Sequence, residues 1–510
     1  VPDSPSADRQ ILTEEALFRR RLVSTACMLA MIMASVEATI VATAMPTIVA
    51  DLGGFQLFSW VFSAYLLSQA VSTPIYGRLS DVFGRKPVFF FGATLFLVSS
   101  LACGFAWGME PLIIFRILQG LGAGAVQPIG TTIIGDIYSP ADRARMQGWL
   151  SSIWGISAIA GPLLGGFIVE HLHWSLIFWI NLPIGIATIA ILAVYFREEV
   201  HPRRHQVDYL GAVLLMIGLG ALMLIAGQVE SLSDTAIAVA GTVGLLALVA
   251  LVFQERRAAE PILSSQLWQN RVLAIGNSGA FLIGALLMGV VAFLPTYVQG
   301  VMGRSATVAG FVIAAQSVSW SVAGILAARV MVRNSYRVAG AVGGILLFIG
   351  AAILIALTPE RGPLWAGAGS MMIGFGMGFC ATTFLVSVQG SVGWGERGMA
   401  TSTNLFLRTV GQSLGAGIFG AILNLGVFRE IPEAGDIVNR LLLPGTRESL
   451  GPEAIAKLGG AIASSLHDVY LILTLMALAV FALTLALPAG LSPTRPAVGK
   501  DSGGNDPGRD

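Results

Sequence analysis

Apolar residues fall along this chain in runs of roughly twenty, broken by short polar stretches with Gly, Pro or Asp at the breaks. A helix crossing a hydrocarbon core of about 30 Å needs about 20 such residues. Fourteen windows meet that requirement: 22–46, 57–77, 87–107, 111–134, 146–168, 174–196, 208–228, 235–253, 272–294, 305–328, 338–357, 363–386, 400–425 and 468–489. One connection is long, Phe428 to His467, and its weak helical periodicity predicts short helices lying on the outer face. The segment after Leu491 is rich in Pro, Gly and Asp and is expected to be disordered. The pattern predicts an all-α polytopic membrane protein with 14 transmembrane helices.

Composition and charge orient these spans. The chain is 55% apolar and 12% charged, where soluble domains carry about 25% charged residues. Its net charge of +1 gives no bulk electrostatic case for a nucleic-acid partner. Cys27, Cys103 and Cys380 are scattered through apolar runs and the five His form no cluster, so neither a disulfide framework nor a metal site is expected. The polar stretch Val1 to Glu15 lacks the apolar core of a cleavable signal, and opening on Val1 is expected of a processed or engineered start. If the N-terminus is inside, the inner segments hold 22 of the 30 Lys and Arg and the outer loops six. That asymmetry favours both termini in the cytoplasm of a cell-membrane protein. No nucleophile–base pair or metal constellation points to an enzyme, and no cofactor is expected. Glycine pairs such as Gly120/Gly124 and Gly374/Gly378 lie inside spans, with no strand before them, which excludes a nucleotide loop.

Charge inside or beside the spans marks candidate mechanism. Gly77 to Pro87 reads GRLSDVFGRKP, four charges between two apolar runs. Gly77 and Gly84 permit unusual backbone angles, Asp81 can face a helix N-terminus, and Arg85 and Lys86 suit an anionic inner membrane face. Arg116 opens RILQGLGAG some five residues inside its span, where it must snorkel or find a partner. Gly155 to Gly166 reads GISAIAGPLLGG, in which Pro162 lets the helix bend and Gly155, Gly161 and Gly165 allow a tight crossing. By these span limits Glu37 is the only acid well inside a span, which makes it a candidate proton carrier or a structural partner of Arg116. Arg408, with Asn404 and Gln412 four residues to either side, suits backbone carbonyls or an anionic group. Candidate walls of an apolar cavity are Tyr65, Gln69, Trp154, Asn277, Phe281, Gln316, Trp320, Met377, Phe379, Thr382 and Phe384, together with Asn404 and Arg408.

These motifs resemble the major facilitator superfamily. G-x-L-S-D-x-x-G-R-K resembles its loop between helices 2 and 3, with Val82 where a basic residue is usual. R-x-x-Q-G-x-G-A-G is similar to its second motif, implicated in proton coupling, and G-x5-GP-x2-GG to the antiporter motif. The first-helix run EATIVATAMPTI from Glu37, with Glu for the commoner Asp, the sixth-helix run FWINLPIG from Phe178, and FLPTYVQG from Phe293 resemble the fourteen-helix drug:proton antiporters, the QacA- and EmrB-like family. The resemblance implies a tail at 1–21, a six-helix bundle at 22–196, an inserted two-helix hairpin with linkers at 197–271, a second bundle at 272–489 that includes the outer loop 428–467, and a tail at 490–510. Gly324-Ile-Leu-Ala-Ala echoes the signature loop in the second half, without its Asp. The hairpin reads as lipid-facing filler. The resemblance further implies a monomer that exports hydrophobic, cationic compounds in exchange for protons, with Asp81 facing the N-terminus of span 13 and Arg85 pairing with Asp136. A narrower lipid or metabolite exporter and a non-transporting sensor are the rival readings.

Overall fold

The structure, a computed structural model, describes residues 7–138, 157, 159–198, 208–228, 233–258, 270–393, 397–431 and 451–488. Its first half contains α1 (Ala7–Leu52), α2 (Phe58–Phe83), α3 (Arg85–Gly104), α4 (Met109–Ile137), α5 (Ile159–His171) and α6 (Leu176–Tyr195). The hairpin is α7 (Tyr209–Gln228) and α8 (Asp234–Arg257). The second half contains α9 (Arg271–Val291, continued by a π-turn to Val301), α10 (Ala306–Arg333), α11 (Tyr336–Ile355), α12 (Gly362–Gly390), α13 (Arg397–Glu430) and α14 (Pro452–Ala486). Eleven of these are long and apolar enough to cross a membrane, and α5 and the apolar part of α7 are shorter apolar helices. The chain is thus an all-helical, multi-pass membrane protein with eleven to fourteen apolar helices and no strand among the described residues.

Two connections differ from expectation: the turn at 77–87 is helical, and the later part of 428–467, expected as short helices on the outer face, continues into a long helix of the bundle. Of residues 77–87, only Gly84 lies outside a helix. Its φ of 93° is open to glycine at little cost, so α2 turns into α3 on one residue. The late stretch of the 428–467 connection is the first part of α14, which runs 35 residues without a break. Leu458, Ala461 and Ile462 are buried in the core there, and Ser465 packs on Gly426. The helix joins the bundle because its apolar side meets α13; residues 432–450, 1–6 and 489–510 lie outside the described residues, whereas 7–21 of the expected N-terminal tail is the first part of α1.

The two halves repeat one helix contact. A Cβ on Gly120 of α4 would lie 2.1 Å from Ser68 Oγ and 2.2 Å from the Tyr65 carbonyl oxygen of α2. A Cβ on Gly374 of α12 would lie 2.1 Å from Ser319 Oγ and 2.2 Å from the Gln316 carbonyl oxygen of α10. In both, the serine hydroxyl donates to the carbonyl three residues back. Small residues bring these backbones into contact where hydrocarbon supplies no hydrophobic drive between helices.

The halves meet toward the end that the basic residues assign to the outside. Ser63 and Ser413 each donate to the other's carbonyl, at 3.1 and 2.9 Å. Gln299 donates to the Thr43 carbonyl and Asn424 to that of Gln56. The Glu170 carboxylate, at the end of α5, accepts from the hydroxyl and N–H of Thr307 at the start of α10.

The hairpin is more than lipid-facing filler. Ala212, Leu215, Leu219 and Met223 of α7 are buried with Leu67, Ala70 and Val71 of α2 and Phe406, Leu407 and Val410 of α13. Thus α7 wedges into the seam between the halves, because an apolar groove there has no other cover. Only α8 keeps mostly exposed apolar surface: Gly244, Ala247 and Leu251 are its buried residues.

Candidate functional site

A buried ionic network sits within the first half. Arg116 Nη1 donates to Glu37 Oε1 at 2.5 Å and to Gln119 Oε1 at 2.6 Å, and Nε donates to the Val61 carbonyl at 3.1 Å. The guanidinium carbon lies 3.9 Å from the centroid of the Tyr65 ring. Asn181 Nδ2 donates to Glu37 Oε2 at 2.7 Å, and Gln119 Nε2 donates to Ser100 Oγ at 2.6 Å. The network therefore joins α1, α2, α3, α4 and α6. Glu37 is fully buried and Arg116 is 1% exposed. A charged pair this deep is tolerable only because each end is neutralised and hydrogen-bonded. Both expectations for Arg116 and Glu37 that involve partnership are met by the same contact, and neither side chain faces open space. Asn181, which stands in the FWINLPIG run, and Ser100 complete the network; Ser100 carries no signal in the sequence beyond polarity inside an apolar run.

Around Gly84, Arg85 Nη1 lies 2.7 Å from Asp136 Oδ2, so α3 is tied to the end of α4. Glu198, past the end of α6, accepts from the backbone N–H groups of Arg85 and Lys86 at 2.6 and 2.9 Å. It satisfies orphan donors at the start of α3, a role sequence reading missed because Glu198 stands 112 residues away. Lys86 Nζ donates to the carbonyls of Ala193 and Phe196. Asp81 makes no hydrogen bond to α13 among the described residues; Arg78, on its own helix, is its neighbouring charge. Among the described residues no atom lies within contact of a Cβ position on Gly77, so none of their helices crosses closely there.

The antiporter motif is a crossing. Gly161 and Gly165 press against Thr39 and Thr43 of α1, and the Pro162 carbonyl lies against Gly310 of α10. Gly155 and Trp154 lie outside the described residues.

Most of the proposed cavity walls are interior packing. Tyr65 lies under Arg116. Met377, Phe379 and Phe384 are buried in the core, Phe379 against Gly343 and Phe384 against Gly279. Asn277 and Asn404 are buried and bonded to each other at 3.2 Å. Gln316 is buried, with Nε2 3.6 Å from Met377 Sδ. The physical reason is that glycine contacts draw the second-half helices together, so side chains at those levels fill the space between them. Phe281 is half-buried but packs with the hairpin cluster. Gln69, Trp320, Thr382 and Arg408 are half-buried as well. Among the described residues no group of three His, Cys, Asp or Glu could hold a metal ion.

Comparison with known proteins agrees with this architecture. The sequence profile of the Major Facilitator Superfamily matches residues 27–416. Multidrug resistance protein 3 of Bacillus subtilis is 36% identical over 405 residues, which covers 79% of each chain. Multidrug transporter protein MdtP of the same organism is 32% identical over 411 residues, 80% of this chain and 76% of its own. A solved bacterial homolog of the human lysosomal transporter Spinster, inward-facing and unoccupied, superposes with a TM-score of 0.65 at 17% identity, over 92% of this chain and 97% of that one. The helical architecture, the repeated helix contact and these matches lead to one conclusion: the chain belongs to the Major Facilitator Superfamily and is a multi-pass membrane transporter, not an enzyme.

Proposed function

We propose that this transporter exports amphipathic drugs in exchange for protons, as a fourteen-span member of the QacA- and EmrB-like antiporters with both termini in the cytoplasm. The bundles at 22–196 and 272–489 rock against each other, and the contacts between Ser63 and Ser413 and between Glu170 and Thr307 close the outer side. With those made, the cavity opens inward and an internal substrate can enter. The observation that carries the reading is the Glu37–Arg116 pair, buried and tied to α6 through Asn181. A proton on Glu37 removes the charge that Arg116 neutralises and weakens one of the bonds that hold α1, α4 and α6 in register. Proton binding from outside and release inside would thereby bias the two states, which is what coupling requires. The names of the drug-transporting relatives support the substrate class. The cationic substrates that the resemblance implies find no open carboxylate at Glu37, whose two oxygens both accept from protein donors.

The test is uphill transport in proteoliposomes under an imposed pH gradient, with a panel of amphipathic dyes. Glu37→Gln keeps the volume of the side chain and most of its hydrogen bonds. It is expected to lose pH-driven accumulation while retaining exchange in the absence of a gradient. Accumulation by Glu37→Gln equal to the unsubstituted protein would place the proton carrier elsewhere.

A further inference from the structure

Arg408 sits in the middle of α13, half-buried, in a span otherwise built from apolar and small polar residues. Its Nε is buried with no hydrogen-bond partner, and no carboxylate pairs with its guanidinium among the described residues. Arg116 provides the internal standard for what a membrane arginine requires: one carboxylate, one amide oxygen, one backbone carbonyl and a ring beneath it. None of these is supplied to Arg408 among the described residues. Its backbone, by contrast, is fixed. A Cβ on Gly284 of α9 would lie 2.0 Å from the Arg408 carbonyl oxygen, so α9 and α13 touch at this level.

The side chain is placed away from the seam. Leu407, Val410 and Leu414 meet the hairpin cluster, whereas Leu405, 39% exposed, and the half-buried Thr409 and Gln412 lie on the opposite side of α13, near Arg408. Arg408 with Leu405, Thr409 and Gln412 sets one guanidinium beside an apolar side chain, a hydroxyl and an amide, groups that suit an amphipathic anion. Glu37 cannot offset it, since both carboxylate oxygens are already engaged in the other half. Among the described residues, the intramembrane charge with unused donors is therefore positive.

We infer that Arg408 is a binding residue for the acidic group of a substrate, so that the cavity favours amphipathic carboxylates or sulfonates over uncharged molecules of the same shape. This rests on the reading of the protein as an exporter of amphipaths, and it adds the charge of the substrate. The planar fork of Arg408 donates two parallel bonds to one carboxylate or sulfonate, which a lysine cannot reproduce.

The experiment uses two dyes with one scaffold: 8-anilinonaphthalene-1-sulfonate and N-phenyl-1-naphthylamine, which lacks the sulfonate. Equilibrium binding is measured by fluorescence on the full chain in nanodiscs, with no gradient. The unsubstituted protein is expected to bind the sulfonate about tenfold or more tightly than the neutral dye, as a charge-assisted pair implies. Arg408→Gln is expected to lose that preference while binding the neutral dye as before, and Arg408→Lys to recover part of it. Equal binding of the two dyes by the unsubstituted protein, or an unchanged preference in Arg408→Gln, overturns the inference. If Arg408→Gln does not fold, Arg408→Lys and the preference of the unsubstituted protein decide: an undiminished preference in the lysine variant counts against a bidentate contact. Binding here is independent of proton coupling. Failure of pH-driven accumulation in the unsubstituted protein, with the sulfonate preference intact, would instead count against the antiport reading alone.

Discussion

The contact of α2 with α4 and the contact of α10 with α12 are built alike and used differently. Each has a glycine pressed to a carbonyl and a serine bonded to it. Four residues before that glycine the halves diverge. In the first half Arg116 donates to the Val61 carbonyl; in the second Ser370 donates to the carbonyl of Val312, at 2.9 Å. Val61 and Val312 stand at the same distance from their glycine-facing carbonyls, four residues before Tyr65 and Gln316. One scaffold thus carries an ionic network at one position and a neutral hydroxyl at its counterpart. The lesson is that the packing is a shared frame, and the charge is a local addition with its own partners, Glu37, Gln119 and Asn181.

The strongest way to break the comparison is to make the halves identical at that position. Arg116→Ser leaves Glu37 buried without a counter-charge, so a loss of about 3–5 kcal/mol of stability is expected. Combining it with Glu37→Gln should return most of that stability, since the lone charge is then gone. Unfolding of the purified protein in detergent, followed by heat or denaturant, measures both. A double variant no more stable than Arg116→Ser would show that the arginine acts by packing and not by charge.

A smaller effect tests the frame itself. Gly120→Ala and Gly374→Ala each force a Cβ to within 2.2 Å of a backbone carbonyl oxygen. Each is expected to cost about 1–3 kcal/mol, as overpacking does, and the two should cost similar amounts. A tolerated alanine at one of the two positions would end the claim of equivalent contacts. The smallest effect belongs to Ser370→Ala, which removes a single buried hydrogen bond and is expected to cost about 1 kcal/mol. Its transport rate under a pH gradient should match that of the unsubstituted protein. A coupling defect in Ser370→Ala would mean that the second half takes part in proton handling after all.

Rarity decided what could be read from residues alone. Glu37 and Arg116 stand out because charge is costly within an apolar span, and the structure brings the two together. Their remaining partners were not placed: Asn181 stands in the FWINLPIG run, but it lies 144 residues from Glu37 and nothing in that run pairs it with the carboxylate. The cavity walls were harder for a different reason. In a soluble protein an apolar residue on a helix points to the core, but in a membrane the core, the lipid face and an apolar cavity share one composition. Nothing in the sequence separates Phe384, which packs on Gly279, from an aromatic facing a substrate. The place of α7 was hidden likewise, since Leu215 and Leu222 are the same residue type, yet Leu215 is buried in the seam and Leu222 is exposed. The residue 77–87 stretch read as a loop because it is polar, although polarity at a membrane surface allows a helix to continue.

The wedge of α7 between α2 and α13 has a consequence for the path of substrates. A protein of two rocking halves has two lateral seams through which a molecule dissolved in the bilayer could slip sideways toward the centre. One is closed from the lipid by Leu215, Leu219 and Met223 along the length of α7. The other, between α5 and α10, is pinned where Glu170 and Pro162 meet Thr307 and Gly310. The doorways are therefore unequal, and a compound entering from a leaflet is expected to leave its entry footprint in photocrosslinking on α5 and α10 and to spare the seam that α7 covers, at Leu67 to Val71 of α2 and Leu407 and Val410 of α13.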